Sequence, residues 1–412
     1  MRENSQPVKV VRIIARLNVG GPARHVVWLT DALQGNDFES VLIAGRVPEG
    51  EEDMGYFADE YGVKPVFIED MSRELSISDI TALWRIWRRM VAEKPDIVHT
   101  HTAKAGTLGR AASFLYRWVT PRTLVFRPRK LRVFHTFHGH IFNGYYSDAK
   151  TGIFLFIERV LARFATDTIV TISDQQLNEI SKTYNVAPIK RMTVIPLGMD
   201  FSRFGEDKEA GRNFRQEIGV ADDEILVGIV GRLTEIKNHK LFVEAVRNLR
   251  ESGRDKKLRF VVIGDGALRS ELEAEAGSLG IIFAGNRTDT AGCYSALDFA
   301  VLCSLNEGTP LTLIEAMACG KAWVASEVGG VVDLAGKSED GDREQDRSFA
   351  IQERGLLFDS GDAKGFADAI DHLASDSVLR EKLAKAGRDF VLKSYGKDRL
   401  VEDIRRLYSE QR

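Results

Sequence analysis

Two short stretches carry residue types suited to gripping an oxyanion. The first, Gly231-Arg-Leu-Thr-Glu-Ile-Lys-Asn-His239, follows the apolar run 225–230. A glycine and two cations at a strand end, with a helix opening near Asn238, favour phosphate oxygens. Arg232 offers a planar fork, Lys237 a point charge, and the helix N–H groups partial positive charge. The plainer alternative is a pair of solvated cations on a loop. The second stretch, Glu307-Gly-Thr-Pro-Leu-Thr-Leu-Ile-Glu315, follows the apolar run 299–303. Thr309 reads as a helix cap and Pro310 as the first helical position. Glu307 then lies on the loop, and Glu315 more than a turn into the helix. Gly308 admits a ligand close to the backbone, and N–H groups around Leu311 and Thr312 are free for an anion. Carboxylates that accept hydroxyl hydrogen bonds, on either side of an anion-binding helix start, fit a sugar diphosphate. Each glutamate alone reads equally well as a cap or a partly buried helix residue.

The histidines cluster: five of the eight lie between His99 and His140. His99-x-His101 and His138-x-His140 each place two rings on one face of a strand, a spacing that chelates metal. No third ligand of matching kind is evident, so His101 and His138 are read as cleft-lining residues at strand ends. The three cysteines (Cys293, Cys303, Cys319) form no Cys-x-x-Cys and no even framework, which implies a reducing compartment and no structural metal. Asp340-Gly-Asp342 has the spacing of a metal-binding motif, but it sits in the charged loop 338–346 and reads as solvated surface.

Positioning these residues requires parallel sheets. Short β-rich runs alternate with helical patterns along the whole chain, predicting helices on both faces of each sheet. Strands are expected at 8–17, 40–45, 63–69, 96–101, 132–138, 168–173 and 193–197, and again at 225–233, 259–264, 281–284, 299–303, 322–326 and 355–358. Helices are expected at 23–33, 78–93, 105–118, 151–165, 174–184, 240–250, 268–279, 313–319, 363–375 and 378–392. The charged stretch 200–225 shows no strand pattern and reads as a connecting segment. This predicts an α/β protein of two Rossmann-like doubly wound domains, 1–199 and 200–395, facing a central cleft, with a terminal helix 396–412 that caps the chain or crosses back.

With 412 residues, 36 glycines and a net charge of -3, composition is that of an ordinary globular protein with no global bias toward nucleic acid. The polar start, Met1-Arg-Glu-Asn-Ser-Gln-Pro7, shows no export signal, and no apolar run is long enough to span a bilayer. A cytoplasmic protein is expected, peripheral at most to the inner membrane face.

The spacing of Glu307 and Glu315, the Gly231-Arg-Leu…Lys237 pattern and Gly264-Asp-Gly266 resemble the family-four retaining glycosyltransferases of GT-B fold. Gly20-Gly21, His99-Thr-His101-Thr-Ala-Lys104-Ala-Gly106 and Thr136-Phe-His138-Gly-His140 are similar to motifs of capsule and surface-polysaccharide transferases, so the resemblance spans nearly the whole chain. It implies a hexosyl- or N-acetylhexosaminyl-transferase acting from a nucleoside-diphosphate sugar, UDP by family frequency, to a glycan or lipid-linked acceptor. Arg232 and Lys237 would then bind the diphosphate and Glu315 the ribose hydroxyls. Glu307, with Gly308, Thr309, Pro310 and Leu311, would hold the transferred sugar and phosphate. Gly21 and Gly266 would approach the donor, Asn286 and Arg287 the base, and His138 the reacting sugar. His101 and Lys104 are expected on the acceptor side. Fixed cations stabilise the departing diphosphate without a divalent metal, so no metal or other cofactor is expected.

From Ile97 to Ser147 there is no acid, but Lys104, Arg110, Arg117, Arg122, Arg127, Arg129, Lys130 and Arg132 are interleaved with Phe114, Tyr116, Trp118 and Phe126. A helix carrying Trp84, Arg85, Trp87, Arg88 and Arg89 adds to them. Such a surface suits an anionic membrane; the alternative is a solvated basic face with its aromatics in the core. Rival functions are a nucleotide-sugar epimerase and a non-catalytic sugar-nucleotide sensor. A dinucleotide oxidoreductase is disfavoured, because neither Gly20-Gly21 nor Gly264-Asp-Gly266 completes Gly-x-Gly-x-x-Gly.

Overall fold

The structure, a computed structural model, describes residues 6–18, 21–35, 37–47, 53–71, 78–121, 123, 127–138, 148–205, 207–255, 257–338 and 348–410, with backbone alone at 148–150. Gly20, Arg122, Phe126, His140 and Asp340-Gly-Asp342 lie outside them. The chain forms two compact units, Met1–Gly198 with Lys397–Arg412, and Met199–Gly396.

In the first unit β1 (Val8–Arg16), α1 (Gly21–Ala32), β2 (Phe38–Gly45), α2 (Gly55–Glu60), β3 (Val66–Ile68), α3 (Ser78–Glu93), β4 (Ile97–His101), α4 (Ala103–Trp118), β5 (Arg132–Thr136), α5 (Asp148–Phe164), β6 (Thr168–Thr171), α6 (Asp174–Asn178) and β7 (Met192–Val194) follow one another. They make a seven-stranded parallel sheet in the order β3-β2-β1-β4-β5-β6-β7. The strands are near-continuous apolar runs because helices cover both faces. On one face Ala82, Ile86 and Met90 of α3 and Leu108 and Ala112 of α4 pack on Val11, Ile13, Val98 and Val133.

The second unit contains α7 (Lys208–Glu217), β8 (Ile225–Val230), α8 (His239–Glu251), β9 (Leu258–Ile263), α9 (Arg269–Ala276), β10 (Ile281–Gly285), α10 (Thr290–Ala296), β11 (Phe299–Leu302), α11 (Leu311–Ala318), β12 (Ala322–Ser326), α12 (Val331–Ala335), β13 (Phe349–Ile351), β14 (Leu356–Phe358), α13 (Ala363–Ser375) and α14 (Ser377–Ser394). Its sheet runs β10-β9-β8-β11-β12-β14-β13, parallel except for β13 at the edge. The stretch expected to be a plain connector holds α7, capped by Asp207, whose carboxylate accepts from the Ala210 N–H at 2.9 Å. Its polar surface hid it: only Gly211 and Phe214 are buried.

The final helix, α15 (Lys397–Glu410), belongs to the first unit. Leu400, Ile404 and Tyr408 are fully buried there with Val10, Phe134 and Val170. Gly198 is a glycine for this reason: a Cβ would lie 2.7 Å from Leu400 side-chain carbons.

Candidate functional site

In each sheet the chain order reverses at one place, between β1 and β4 in the first unit and between β8 and β11 in the second. Loops leaving the carboxyl ends of such strands diverge and open a crevice for a ligand. Both motif groups read from the sequence sit at these points.

In the second unit Arg232 and Lys237 follow β8, and Glu307 follows β11. Arg232 is exposed and has no ion-pair partner among the described residues. Lys237 instead donates to Glu307 Oε1 at 2.5 Å, and Ser304 Oγ donates to the same oxygen at 2.6 Å. The two loops are pinned together: the Leu305 N–H reaches Ile236 O at 2.9 Å, and Cys303 Sγ reaches Asn238 O at 3.2 Å. Asn238 turns the chain into α8 with φ 52°.

The helix start departs slightly from expectation. Pro310 is the cap and α11 begins at Leu311, with no side-chain cap. Pro310 O accepts from Leu313 and Ile314, and as the first helical residues Leu311 and Thr312 have no backbone acceptor for their N–H groups among the described residues. The Thr312 hydroxyl is buried without a hydrogen bond among the described residues. An uncapped helix start with an unpartnered hydroxyl has the donors that suit an anion. Glu315, one turn on, accepts from the Tyr294 hydroxyl at 3.0 Å. Tyr294 is fully buried, and burial together with the Glu315 charge pushes its phenol well above the ordinary range.

Three further findings qualify the sequence reading. Gly266 serves backbone packing, since a Cβ there would meet Leu233 O at 2.4 Å. Arg287 is already held by Glu217 and Asp289 and lies 5.2 Å from the Phe214 ring; these carboxylates raise its pKa further. Asn286 beside it is exposed. Gly329 and Gly330, unremarked in the sequence, clamp the Glu307 loop: added Cβ atoms would sit 1.9 Å from Glu307 O and 1.7 Å from Gly308 O. Two adjacent glycines after a strand were the available signal.

In the first unit α1 begins at Gly21, beyond β1, and His25 lies one turn into it. His101 ends β4, and His138 follows β5. His101 Nδ1 and His138 Nε2 share a hydrogen bond of 2.9 Å, and the His25 ring lies edge-on to both, at 5.4 and 4.9 Å. His25 thus supplies the third metal-type ligand that the strand spacings lacked, with ligand atoms within 4.8 Å of one another. Burial lowers the pKa of His25 and His101 well below the ordinary range, and Arg12 pushes the same way; burial brings His138 to about 3. Arg12 itself is fully buried, donating to Ser40 Oγ at 2.9 Å. The rings are therefore neutral at neutral pH; His101 and His138 are joined by a hydrogen bond, while neither ring nitrogen of His25 has a partner among the described residues.

His101, expected on the acceptor side, is fully buried and hydrogen-bonds His138. Lys104 is likewise committed, with Nζ 2.5 Å from Asp79 Oδ1 and its side chain 8 % exposed. His99 joins Tyr408 Oη at 2.6 Å to Thr136 Oγ1 at 2.7 Å, so α15 backs the cluster. Thr102, next to His101, holds φ 68° and ψ 159°, a backbone conformation that costs a side-chain-bearing residue about 1–3 kcal/mol.

Residues 211–390 match the model of glycosyl transferases group 1, and residues 19–203 that of glycosyltransferase family 4. The chain belongs to these glycosyltransferases. The UDP-Gal:alpha-D-GlcNAc-diphosphoundecaprenol alpha-1,3-galactosyltransferase of Escherichia coli is 27% identical, over 99% of this chain and 98% of its own. The capsular polysaccharide biosynthesis glycosyltransferase CapM of Staphylococcus aureus is 23% identical over 85% and 86%. The crystal structure of Anabaena HepE in complex with UDP superposes with a TM-score of 0.77 at 16% identity, covering 98% and 100%, and shares the fold. This glycosyltransferase thus has the expected GT-B architecture of two Rossmann-like units.

Proposed function

We propose that this glycosyltransferase moves a hexosyl or N-acetylhexosaminyl group from a UDP-sugar to a lipid-linked or glycan acceptor in surface-polysaccharide assembly, retaining the anomeric configuration and needing no metal. The observation that carries the donor half is the uncapped start of α11 beside the Lys237–Glu307 pair at the switch point. Bound diphosphate would take Arg232, Lys237 and the Leu311 and Thr312 N–H groups. Glu307, released from Lys237, would accept from a sugar hydroxyl, and Glu315 from the ribose. Charge that builds on the departing phosphate meets donors already in place, which lowers the barrier more than it tightens ground-state binding.

In the retaining step the bond from C1 to the phosphate oxygen breaks as the acceptor oxygen bonds C1 on the same face. The acceptor proton passes to the leaving phosphate. Family resemblance gives neutral His138 the reacting sugar as its hydrogen-bonding target. The acceptor class is supported by the E. coli relative, named for a diphosphoundecaprenol-linked sugar. Location at the inner membrane face is part of the same proposal; no helix among the described residues is long and apolar enough to cross a membrane.

A thermal-shift panel of UDP-, GDP- and ADP-sugars tests the donor, with the UDP series expected to stabilise most. Transfer that ceases with chelator and returns with magnesium or manganese would overturn the metal-free reading. An inverted anomer in the product would overturn the retaining one.

A further inference from the structure

Helix α4 packs against both α3 and α5 on the first unit, and the three carry a row of apolar side chains left in solvent. On α5, Ile153, Phe156, Val160 and Phe164 are 58%, 65%, 39% and 57% exposed. Their spacing of three, four and four residues puts them on one helix face. Ile80 and Trp84 of α3 and Phe114 and Trp118 of α4 are exposed as well. So many large apolar groups on one helical layer mark a contact surface rather than scattered exposure.

Cations stand among them. The Arg88 guanidinium lies 4.7 Å from the Trp84 ring and Arg163 5.6 Å from Phe164; exposed Arg85 pairs with Asp70 at 3.0 Å. The acids of these helices between residues 78–93, 103–118 and 151–164 are Asp79, Glu93 and Glu158, and all are engaged. Asp79 holds Lys104, Glu93 holds Lys9 and Arg89, and buried Glu158 holds Arg110. The described part of the layer therefore presents aromatic and aliphatic groups among arginines, with no unpaired acid.

We propose that this α3–α4–α5 face rests in the interface of an anionic bilayer, with α5 lying in the membrane plane. The charge pattern selects this occupant. A second copy docking through a two-fold axis would set the arginines of one face against those of the other, whereas an anionic surface neutralises them and its acyl boundary receives the α5 stripe. The inference rests on the lipid-linked acceptor proposed above and states where the enzyme meets it. It also revises the basic stretch read from sequence: Arg110 and Tyr116 are buried, and the α5 stripe, read simply as a helix, is the larger apolar element.

The full-length protein is tested by co-sedimentation with vesicles of phosphatidylcholine alone or mixed with phosphatidylglycerol. Binding is expected only to the mixed vesicles and should fall with salt. Arg88→Gln and Arg163→Gln should each weaken it about fivefold, the equivalent of ~1 kcal/mol per cation. Phe156→Ser with Phe164→Ser should abolish it, with the thermal midpoint and the shift induced by UDP-sugar unchanged as the folding control. Equal binding to neutral vesicles, or none to either, overturns the proposal. So does a solution dimer that the Phe156→Ser, Phe164→Ser variant converts to monomer. A UDP-sugar shift without vesicle binding removes this surface and leaves the donor reading intact; vesicle binding without a shift does the reverse.

Discussion

Lys237 and Glu307 neutralise each other at 2.5 Å, so neither is a bare charge waiting for substrate. In the proposed donor complex a diphosphate would compete with Glu307 for the lysine. Lys237→Met should therefore reduce turnover by roughly 10²–10³-fold, the scale of removing one preorganised electrostatic donor. Steady-state kinetics with saturating donor measure it, and unchanged turnover would end the assignment of Lys237 to the phosphate. The histidines invite a different substitution. His138 shares a hydrogen bond with His101, which is fully buried behind it. His101→Phe should lower kcat while leaving donor KM in place, and His101→Asn, which restores one polar atom, should recover part of the loss. A change in KM alone would mean that His101 does not act through His138.

At the scale of elements, the loops are shaped by backbone packing that no motif advertises. The loop after β12 fits against the Glu307 loop only because Gly329 and Gly330 lack a Cβ. Gly330→Ala should push the Glu307 loop away from Lys237 and abolish the UDP-sugar thermal shift; a full shift would show that the clamp is dispensable. Helix α15 is a second such element. Deleting methyl groups at fully buried Ile404 should destabilise the protein by about 2–5 kcal/mol, measured by denaturant unfolding. The strands and their alternation with helices were legible because a buried parallel strand is an unbroken apolar run. So were the positions of Arg232, Lys237 and Glu307 after strands and of Glu315 within a helix, since their spacing follows one loop or one helix. What joins distant segments left no local mark: His25 beside His101 and His138, Tyr294 under Glu315, Tyr408 against His99, and the carboxylates that occupy Arg287. Helix α7 escaped for another reason, as its short buried face gives little periodic apolar signal.

Across the whole molecule, the two units differ in how they hold histidine. His25, His99, His101, His135 and His138 in the first unit all have lowered pKa values, with burial the leading cause, and His138 lies at about 3. In the second unit burial and Lys237 bring His239 to about 4. Above pH ~6.5 these rings are neutral whether folded or unfolded, so they add no pH dependence. Below it the unfolded chain takes up protons that the folded chain refuses, and stability falls as pH drops toward each folded value. At pH 5 a ring with a folded pKa well under 5 costs ~2 kcal/mol. In the first unit His138 bears such a cost and burial shifts the other four rings in the same direction; in the second, among the described residues, His239 alone bears one. Mild acid should therefore open the first unit first. Hydrogen exchange at pH 7 and pH 5, corrected for the intrinsic rate, should show β1, β4 and β5 losing protection while β8 and β11 keep most of theirs. Equal loss in both sheets would mean that the cluster around His101 is already protonated or hydrated in the folded protein, and the neutral hydrogen-bonding role given to His138 would go with it.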